Sequence, residues 1–214
     1  MSNLLQAEVH IQGTRPLLIN HLRPSLDFGR RKAKMSAPGN DPAEWTRTVL
    51  MTDERQLYLL PSYVFGCFRD AGQHTKRGRG SLMPLIPSTL QVKEQRILLD
   101  RYLPKEPRLG SEELNEPAYV FMAETRGGSG RGKNIRYRVA AAPGWQCQFT
   151  LLWDKTVVSK QEMQAVAIDA GRLVGLADGR SIGYGRFEIT QFDVSSIDMQ
   201  IYTARQELTW RDSA

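Results

Sequence analysis

The sequence predicts an α+β protein with a ferredoxin-like (RRM-like) core, in which a β-α-β-β-α-β order of elements is interrupted by long loop insertions. Apolar and polar residues alternate over 4–12 and over 145–153, as they do in half-buried strands. Two other segments, 62–73 and 159–174, carry apolar residues at helical spacing. Strands and helices in this order build one antiparallel sheet with helices packed on it.

The first half of the chain is predicted to contain the first strand, an insertion and the first helix. Residues 27–50 show little periodicity and carry glycine and proline among charges, which predicts a long insertion. Ser62 is expected to cap a helix that ends near Gln73 and buries one apolar stripe. The residues of that stripe are Val64, Phe65, Phe68 and Ala71.

The middle of the chain is predicted to alternate between loops and strands. Glycine and proline break the periodicity of residues 76–92 and 104–117, which we interpret as loop insertions. Residues 93–103, 118–123 and 135–139 are predicted strands because apolar and β-branched residues recur in them. We expect these strands to belong to the antiparallel part of the core.

The second helix has a clear beginning in the sequence. Ser159 followed by Glu162 matches a capping box. Apolar residues at helical spacing predict the buried face of this helix: Met163, Val166, Ala167, Ala170, Leu173 and Val174. The last strand is expected to end near residue 192, so that 1–192 forms a single domain and 193–214 a C-terminal extension.

Composition favours a soluble protein with a polyanionic partner. The chain has 214 residues, 41% of them hydrophobic, and a net charge of +6. No apolar run approaches the length of a membrane span, and the N-terminal residues lack the regions of a signal peptide. Cys67 and Cys147 lie among apolar neighbours, which predicts buried thiols rather than a disulfide or a metal site. Together these features predict a cytoplasmic protein that does not associate with a membrane.

Positive charge is concentrated in three clusters that contain glycine or lie next to it. The clusters occupy residues 30–34, 76–79 and 126–138. Such clusters are typical of loops that surround a polyanion, although solvated loops are an alternative interpretation.

A fourth feature is the segment 175–186, which we name the glycine–arginine turn. It places four glycines and two arginines between the second helix and the last strand. Glycine lets a backbone approach a ligand closely, and arginine binds phosphate in a fork geometry. The segment therefore predicts contact with a nucleic-acid backbone, while a tight turn with solvated arginines is the alternative.

Two other kinds of site are excluded or disfavoured. Gly127–Lys133 has the spacing of a phosphate-binding loop, but Asn134 replaces the magnesium-binding hydroxyl and a strand follows instead of a helix. We therefore exclude a nucleoside-triphosphatase. The histidines at 10, 21 and 74 are far apart and have no further ligand at metal-binding spacing, so we expect neither a metal site nor a cofactor.

Nuclease chemistry has only weak candidates. They are Asp27, Asp53, His21 and His74, and none of them belongs to a recognisable catalytic motif. A metal-assisted nuclease needs carboxylates that converge on one phosphate, which a sequence does not show. Caps and surface ion pairs are the simpler interpretation of the loop aspartates, which include Asp41 and Asp70.

Three segments, Pro16–Asn20, Leu57–Ala71 and Gly175–Phe187, together resemble the RAMP superfamily, the RNA-binding proteins of CRISPR effector complexes. Gly183-Tyr-Gly-Arg186 is similar to the family's C-terminal glycine-rich loop, whereas Tyr63 replaces a usual small residue. The chain is also similar to phage or mobile-element proteins that carry such a turn.

The resemblance implies a non-catalytic subunit of backbone type, with a role in antiviral defence. Such a subunit binds single-stranded guide RNA, assembles with copies of itself or related subunits and contacts target nucleic acid, with residues 27–50 as a protruding thumb. The residues expected to bind RNA are Arg30, Arg31, Lys32, Lys76, Arg77, Arg79, Arg131, Lys133, Arg136, Arg138, Arg172, Arg180, Gly183, Gly185 and Arg186. Tyr184 is expected either to stack on a base or to belong to the core.

Two other functions stay open at this point. One is an endoribonuclease of the same fold, dependent on a metal or on a histidine. The other is a phage protein that binds single-stranded DNA or takes part in assembly.

Overall fold

The computed structural model describes residues 3–21, 41–110, 115–126 and 133–197, and it confirms an α+β fold built mostly of antiparallel strands. The strands are β1 (Leu4–Gly13), β2 (Leu17–Ile19), β3 (Gln56–Leu59), β4 (Lys76–Arg77), β5 (Gly80–Ser81), β6 (Gln91–Val92), β7 (Ile97–Tyr102), β8 (Leu109–Gly110), β9 (Ala118–Arg126), β10 (Lys133–Ala141), β11 (Gln146–Asp154) and β12 (Phe187–Ser196). The α-helices are α1 (Glu44–Thr48), α2 (Pro61–Ala71), α3 (Ile86–Thr89) and α4 (Lys160–Asp169). The predictions for Asp27, Arg30, Arg31, Lys32, Arg131 and the side chain of Lys133 lie outside the described residues.

The main sheet has the ferredoxin-like strand order. Its strands run β12-β1-β11-β7-β3, and β6 also pairs with β11. All of these neighbours are antiparallel, so that Ala7 of β1 lies opposite Leu151 on one side and Val194 on the other. If only β1, β7, β11 and β12 are counted, in chain order as first to fourth, the order across the sheet is fourth, first, third, second, and β3 is added at the edge. The ferredoxin-like core predicted from the sequence is thus present.

A second sheet holds two of the strands that we expected in the core. Its order is β2-β10-β9-β8, with β9 and β10 paired as a long antiparallel hairpin. The predicted strands 118–123 and 135–139 exist, but they extend to Ala118–Arg126 and Lys133–Ala141 and lie outside the main sheet. They bury their own small cluster, formed by Leu18, Tyr119, Phe121, Ala140 and Tyr184.

The helix α2 begins two residues earlier than predicted, since its N-cap is Leu60 and not Ser62. Leu60, in an extended conformation, is its N-cap, and Pro61 occupies the first turn. Proline fits there because its fixed φ suits a helix and the first amide has no helical partner to lose. Val64, Phe68 and Ala71 are buried as predicted, whereas Cys67 takes the central buried place expected of Phe65.

The helix α4 begins with the predicted capping box. The Glu162 amide donates to Ser159 Oγ at 3.3 Å, and the Ser159 amide donates to Glu162 Oε2 at 2.8 Å. The helix then widens into a π-helical segment, Ala170–Val174, that ends where the Gly175 amide donates to Ala170 O at 2.8 Å. Because a π turn holds an extra residue, Leu173 rotates away from the core and is exposed, which corrects its predicted burial.

The loop insertions contain more structure than the sequence indicated. Residues 81–92 include α3 and β6, and the strand predicted over 93–103 is limited to β7. The last strand continues to Ser196, past the predicted boundary at 192.

The core lies between the main sheet and the two long helices. Phe68 of α2 meets Phe149 of β11 edge to face, with ring centroids 6.2 Å apart. Cys67 and Cys147 are buried free thiols, as predicted. None of the described helices is long and apolar enough to cross a membrane.

Candidate nucleic-acid interface

The glycine–arginine turn is anchored to the start of the chain. The Asp178 amide donates to Leu18 O at 3.0 Å, and the Gly185 amide donates to Pro16 O at 2.8 Å. Between them, Arg180–Ile182 form one 3-10 turn that is bounded by Gly179 and Gly183, both left-handed. The turn thus joins the segment that precedes and includes β2 to the end of the π-helical segment.

Gly183 and Gly185, two glycines of the glycine–arginine turn, differ in the space around them. At Gly185 (φ 68°) an added Cβ would lie 2.0 Å from Leu176 O, so this glycine makes room for the turn's own backbone. At Gly183 (φ 93°) an added Cβ would meet nothing within 4 Å. Gly183 and Gly185 were both predicted to let the backbone approach a ligand. Of these two glycines, only Gly183 faces open space.

Arg180 is held at the rim of the turn by a carboxylate from α2. Its Nη1 lies 3.2 Å from Asp70 Oδ2, and Arg69 donates from Nε to Asp70 Oδ1 at 2.9 Å. The carboxylate therefore lies between two guanidinium groups and restricts where Arg180 points. The interpretation of Asp70 as a surface ion-pair residue is confirmed, and so is that of Asp41, which pairs with Arg47 at 2.5 Å.

Arg186, the other arginine of the turn, points inward. Its Nη1 is buried and makes no hydrogen bond to any described residue. It lies near Cys67, whose thiol has its pKa raised to about 12 by burial, while Arg180 and Arg186 oppose that effect. The side chain of Arg186 is consequently less available to a ligand than that of Arg180.

Asp178 connects three parts of the structure: the glycine–arginine turn, the residue that follows β2, and β10. Its Oδ2 accepts hydrogen bonds from Asn20 Nδ2 and Arg138 Nη1, both at 2.9 Å, and its Oδ1 accepts from the Gly179 amide at 2.8 Å. Burial and the nearby Asp178 charge raise the pKa of Tyr63. Sequence analysis missed the role of Asp178, although Asp-Gly is a recognisable turn signal.

In the described part of the basic cluster at 126–138, two arginines form ion pairs within the fold. Arg136 Nη2 contacts Glu44 Oε1, and the other oxygen of Glu44 accepts from the Tyr137 amide at 3.1 Å. Arg138 is bound to Asp178 and is mostly buried. These two arginines, predicted to line a groove, instead fasten α1 and the glycine–arginine turn to β10.

The β4–β5 hairpin presents exposed cations of a different kind. Lys76 and Arg79 are exposed, whereas Arg77 donates to Glu162 at Oε1 (2.6 Å) and to Val157 O (2.9 Å). This pair lowers the pKa of Glu162 to about 2. Arg77 therefore fixes the hairpin on the first turn of α4 and leaves Lys76 and Arg79 facing solvent.

Arg172 lies close to this hairpin in the fold. Thr75 Oγ1 donates to Asp169 Oδ2 at 3.0 Å, which joins the start of the hairpin to the end of α4. Arg172 follows on the π-helical segment and is exposed. Lys76 and Arg172 are thus carried by adjoining segments on the side of the main sheet where the helices lie.

The face of the main sheet that is turned away from the helices is polar and carries an acidic residue. The central strands β1 and β11 direct polar or acidic residues outward: Gln6, Glu8, His10, Gln146 and Gln148. RRM proteins stack bases on aromatic residues of their central strands. The exposed cations of the glycine–arginine turn and the hairpin therefore make the helical side the better candidate interface.

Tyr184 belongs to the core of the second sheet. It is buried and meets Phe121 edge to face, with centroids 5.6 Å apart. This decides between the two alternatives given for it, since a buried ring is not available for stacking on a base.

Three of the four candidates for nuclease chemistry lie among the described residues, and no hydrogen bond or ion pair joins any two of them. His21 Nδ1 lies 3.4 Å from the hydroxyl of Tyr63, and His74 Nε2 lies 3.1 Å from Gln73 Nε2. Asp53 is exposed in a turn before β3, and Asp27 lies outside the described residues. Among the described residues, no group of three histidines, cysteines or carboxylates is placed to hold a metal ion.

Comparison with known proteins gives a likeness in fold. No protein-family profile and no curated protein sequence matches the chain. Among solved structures, a chain from a structure described as "Cryo-EM structure of the Type III-B Cmr-beta bound to cognate target RNA" matches with a TM-score of 0.55 and 14% identity. The match covers 90% of this chain and 61% of that one. The chain thus spans about three-fifths of its structural neighbour, and the likeness between the two is one of fold.

Proposed function

We propose that the protein is a non-catalytic subunit of a CRISPR effector-type ribonucleoprotein and that it binds the backbone of single-stranded RNA. The observation that carries the proposal is the position of Arg180, which Asp70 holds at the rim of the turn beside the open space at Gly183. A guanidinium in a fixed position is suited to bind phosphate through paired hydrogen bonds. The solved neighbour with RNA bound supports the same class of ligand.

The exposed cations near Arg180 extend the proposed track. Lys76 and Arg79 lie on the hairpin and Arg172 on the π-helical segment, all exposed to solvent. Several cations along one side of a protein bind a nucleic-acid backbone with a strong dependence on salt and little dependence on sequence. In this proposal the RNA is a guide, and copies of the chain or related subunits assemble along it in the cytoplasm.

The proposal is tested by measuring the nucleic acid that copurifies with the protein and the size of the particle. We expect protein isolated at moderate salt to carry RNA of uniform length, seen as a raised ratio of absorbance at 260 and 280 nm, in a particle larger than a monomer. A monomer free of nucleic acid that binds no RNA at low salt would contradict the proposal. Equal binding of single-stranded DNA and RNA would instead favour a phage DNA-binding or assembly protein.

A second candidate function is an endoribonuclease, which the contact between His21 and Tyr63 favours. A histidine whose Nδ1 lies 3.4 Å from a hydroxyl has the components of acid–base chemistry. Incubation of end-labelled RNA with wild-type protein and His21→Ala tests it. Cleavage that is lost in His21→Ala while RNA affinity is kept would support this function over the non-catalytic one.

A further inference from the structure

A cleft of about 480 Å³ opens beside the glycine–arginine turn. It lies between the end of α2, the loop before α3, the π-helical segment and the turn itself, and its lining includes Asp70, Gln73, Met83, Leu173, Ala177 and Arg180. Clefts that bind small ligands have volumes of about 300–1,000 Å³. The cleft is therefore large enough for part of a ligand, and Arg180 belongs to its lining.

Its walls contain two large apolar side chains that are exposed. Met83 is 41% exposed and Leu173 is 48% exposed. The exposure of Leu173 results from the π-helical segment, since regular helical spacing would have placed this residue on the buried face of α4. Gly171 permits that segment, because a Cβ there would lie 2.2 Å from Phe187 O. Single π turns of this kind occur frequently at functional sites.

The other end of the cleft is polar and charged. Asp70 and Asp178 both line the cleft, but the charge of Asp70 is offset by Arg69 and Arg180, and that of Asp178 is offset by Arg138. The exposed amide of Gln73 lies on the same side, where it contacts His74. The cleft thus combines apolar walls, an amide that can form hydrogen bonds, and a positioned cation.

We propose that this cleft takes one nucleotide of a bound RNA, with the base between Met83 and Leu173 and the adjoining phosphate at Arg180. The inference rests on the proposed function and makes it specific. A nucleobase has flat faces that pack on apolar side chains, polar edges that amides recognise, and a neighbouring anionic phosphate. Methionine suits such a wall because its thioether contacts aromatic rings favourably. An apolar peptide segment would leave Arg180 without an anionic partner in the ligand.

The test compares RNA with and without bases. A labelled single-stranded RNA and an abasic ribose-phosphate strand of equal length are titrated with wild-type protein, Met83→Ala and Leu173→Ala, with fluorescence anisotropy as the readout. Ile168→Ala is the matched control, since Ile168 on α4 is 44% exposed and is not among the cleft residues. We expect each cleft variant to bind base-containing RNA about three- to tenfold more weakly than wild type, with unchanged affinity for the abasic strand.

The outcomes separate this inference from the function on which it rests. Wild-type affinity for RNA in both cleft variants, or an equal loss for both strands, would overturn the nucleotide cleft and leave the proposed function standing. Failure of the wild-type protein to bind either strand at low salt would overturn the proposed function itself.

Discussion

Arg180 of the glycine–arginine turn lies 3.2 Å from Asp70 of α2, across 110 positions of sequence. Asp70 also pairs with its neighbour Arg69, so that one carboxylate orders two guanidinium groups. This contact ties the turn to the helix and fixes the cation that we assign to RNA. It also reduces the net positive charge of the interface.

Removal of the Asp70 charge should tighten RNA binding. Asp70→Asn keeps an oxygen for Arg180 but removes one negative charge from the proposed track, so we expect affinity for single-stranded RNA to rise about threefold at low salt. Fluorescence anisotropy measures this, and the control is Asp193→Asn, which removes an exposed carboxylate of β12. Weaker binding by Asp70→Asn would show that orientation of Arg180 matters more than net charge.

Two glycines of the turn should respond differently to alanine. Gly185→Ala places a Cβ 2.0 Å from Leu176 O, so we expect a loss of about 3 kcal/mol in the free energy of unfolding. Gly183→Ala meets only the cost of a left-handed φ, about 1 kcal/mol. Urea denaturation of both variants checks the difference. Equal losses would mean that the backbone around Leu176 relaxes to accept the methyl group.

The buried carboxylate of Glu44 should stabilise the fold strongly. Its side chain is 1% exposed and contacts both Arg136 and the Tyr137 amide. Glu44→Gln keeps the shape but leaves Arg136 without its counter-ion, so we expect a loss of about 3 kcal/mol in the free energy of unfolding. The exposed Glu188→Gln is the matched control and should change stability by at most about 0.5 kcal/mol. A similar small effect in Glu44→Gln would contradict the assigned role.

The ion pair of Arg77 and Glu162 should stabilise the fold at neutral pH and lose this effect in acid. The pKa of Glu162 is lowered to about 2, so its contribution is fully present above its ordinary value of 4.5 and is lost as pH falls toward 2. Because Arg77 is partly exposed, we expect the pair to contribute about 1 kcal/mol, which corresponds to about 2–4 °C in Tm. The Tm difference between wild type and Glu162→Gln should therefore be present at pH 7 and vanish near pH 2. A difference that stays constant over that range would exclude the ion pair as its cause.

Local signals in the sequence predicted much of the fold. The capping box at Ser159 and the alternation in β11 depend on near neighbours in the chain, so both were predicted correctly. The assignment of β9 and β10 to a second sheet depends on long-range packing around Tyr184, which periodicity does not contain. The exposure of Leu173 depends on a π turn, which has no simple residue signature.

The candidate site was predictable only in part. The composition of the glycine–arginine turn pointed to the segment that we propose binds RNA, but the partners of its charges did not follow from the sequence. Arg138 pairs with Asp178, 40 positions away, and Arg136 pairs with Glu44, 92 positions away. Ion pairs of this range show which basic residues hold the fold together and which remain available to a ligand.

The central claim is that Arg180 binds an RNA phosphate, and the salt dependence of RNA affinity tests it most directly. We would measure the Kd for single-stranded RNA at several salt concentrations for wild type, Arg180→Ala and the control Arg96→Ala, whose guanidinium lies over Tyr58 at 5.2 Å from the ring centroid. We expect Arg180→Ala to bind more weakly and to reduce the slope of log K against log salt by about one, with Arg96→Ala unchanged. Identical affinities and slopes for Arg180→Ala and wild type would contradict the account.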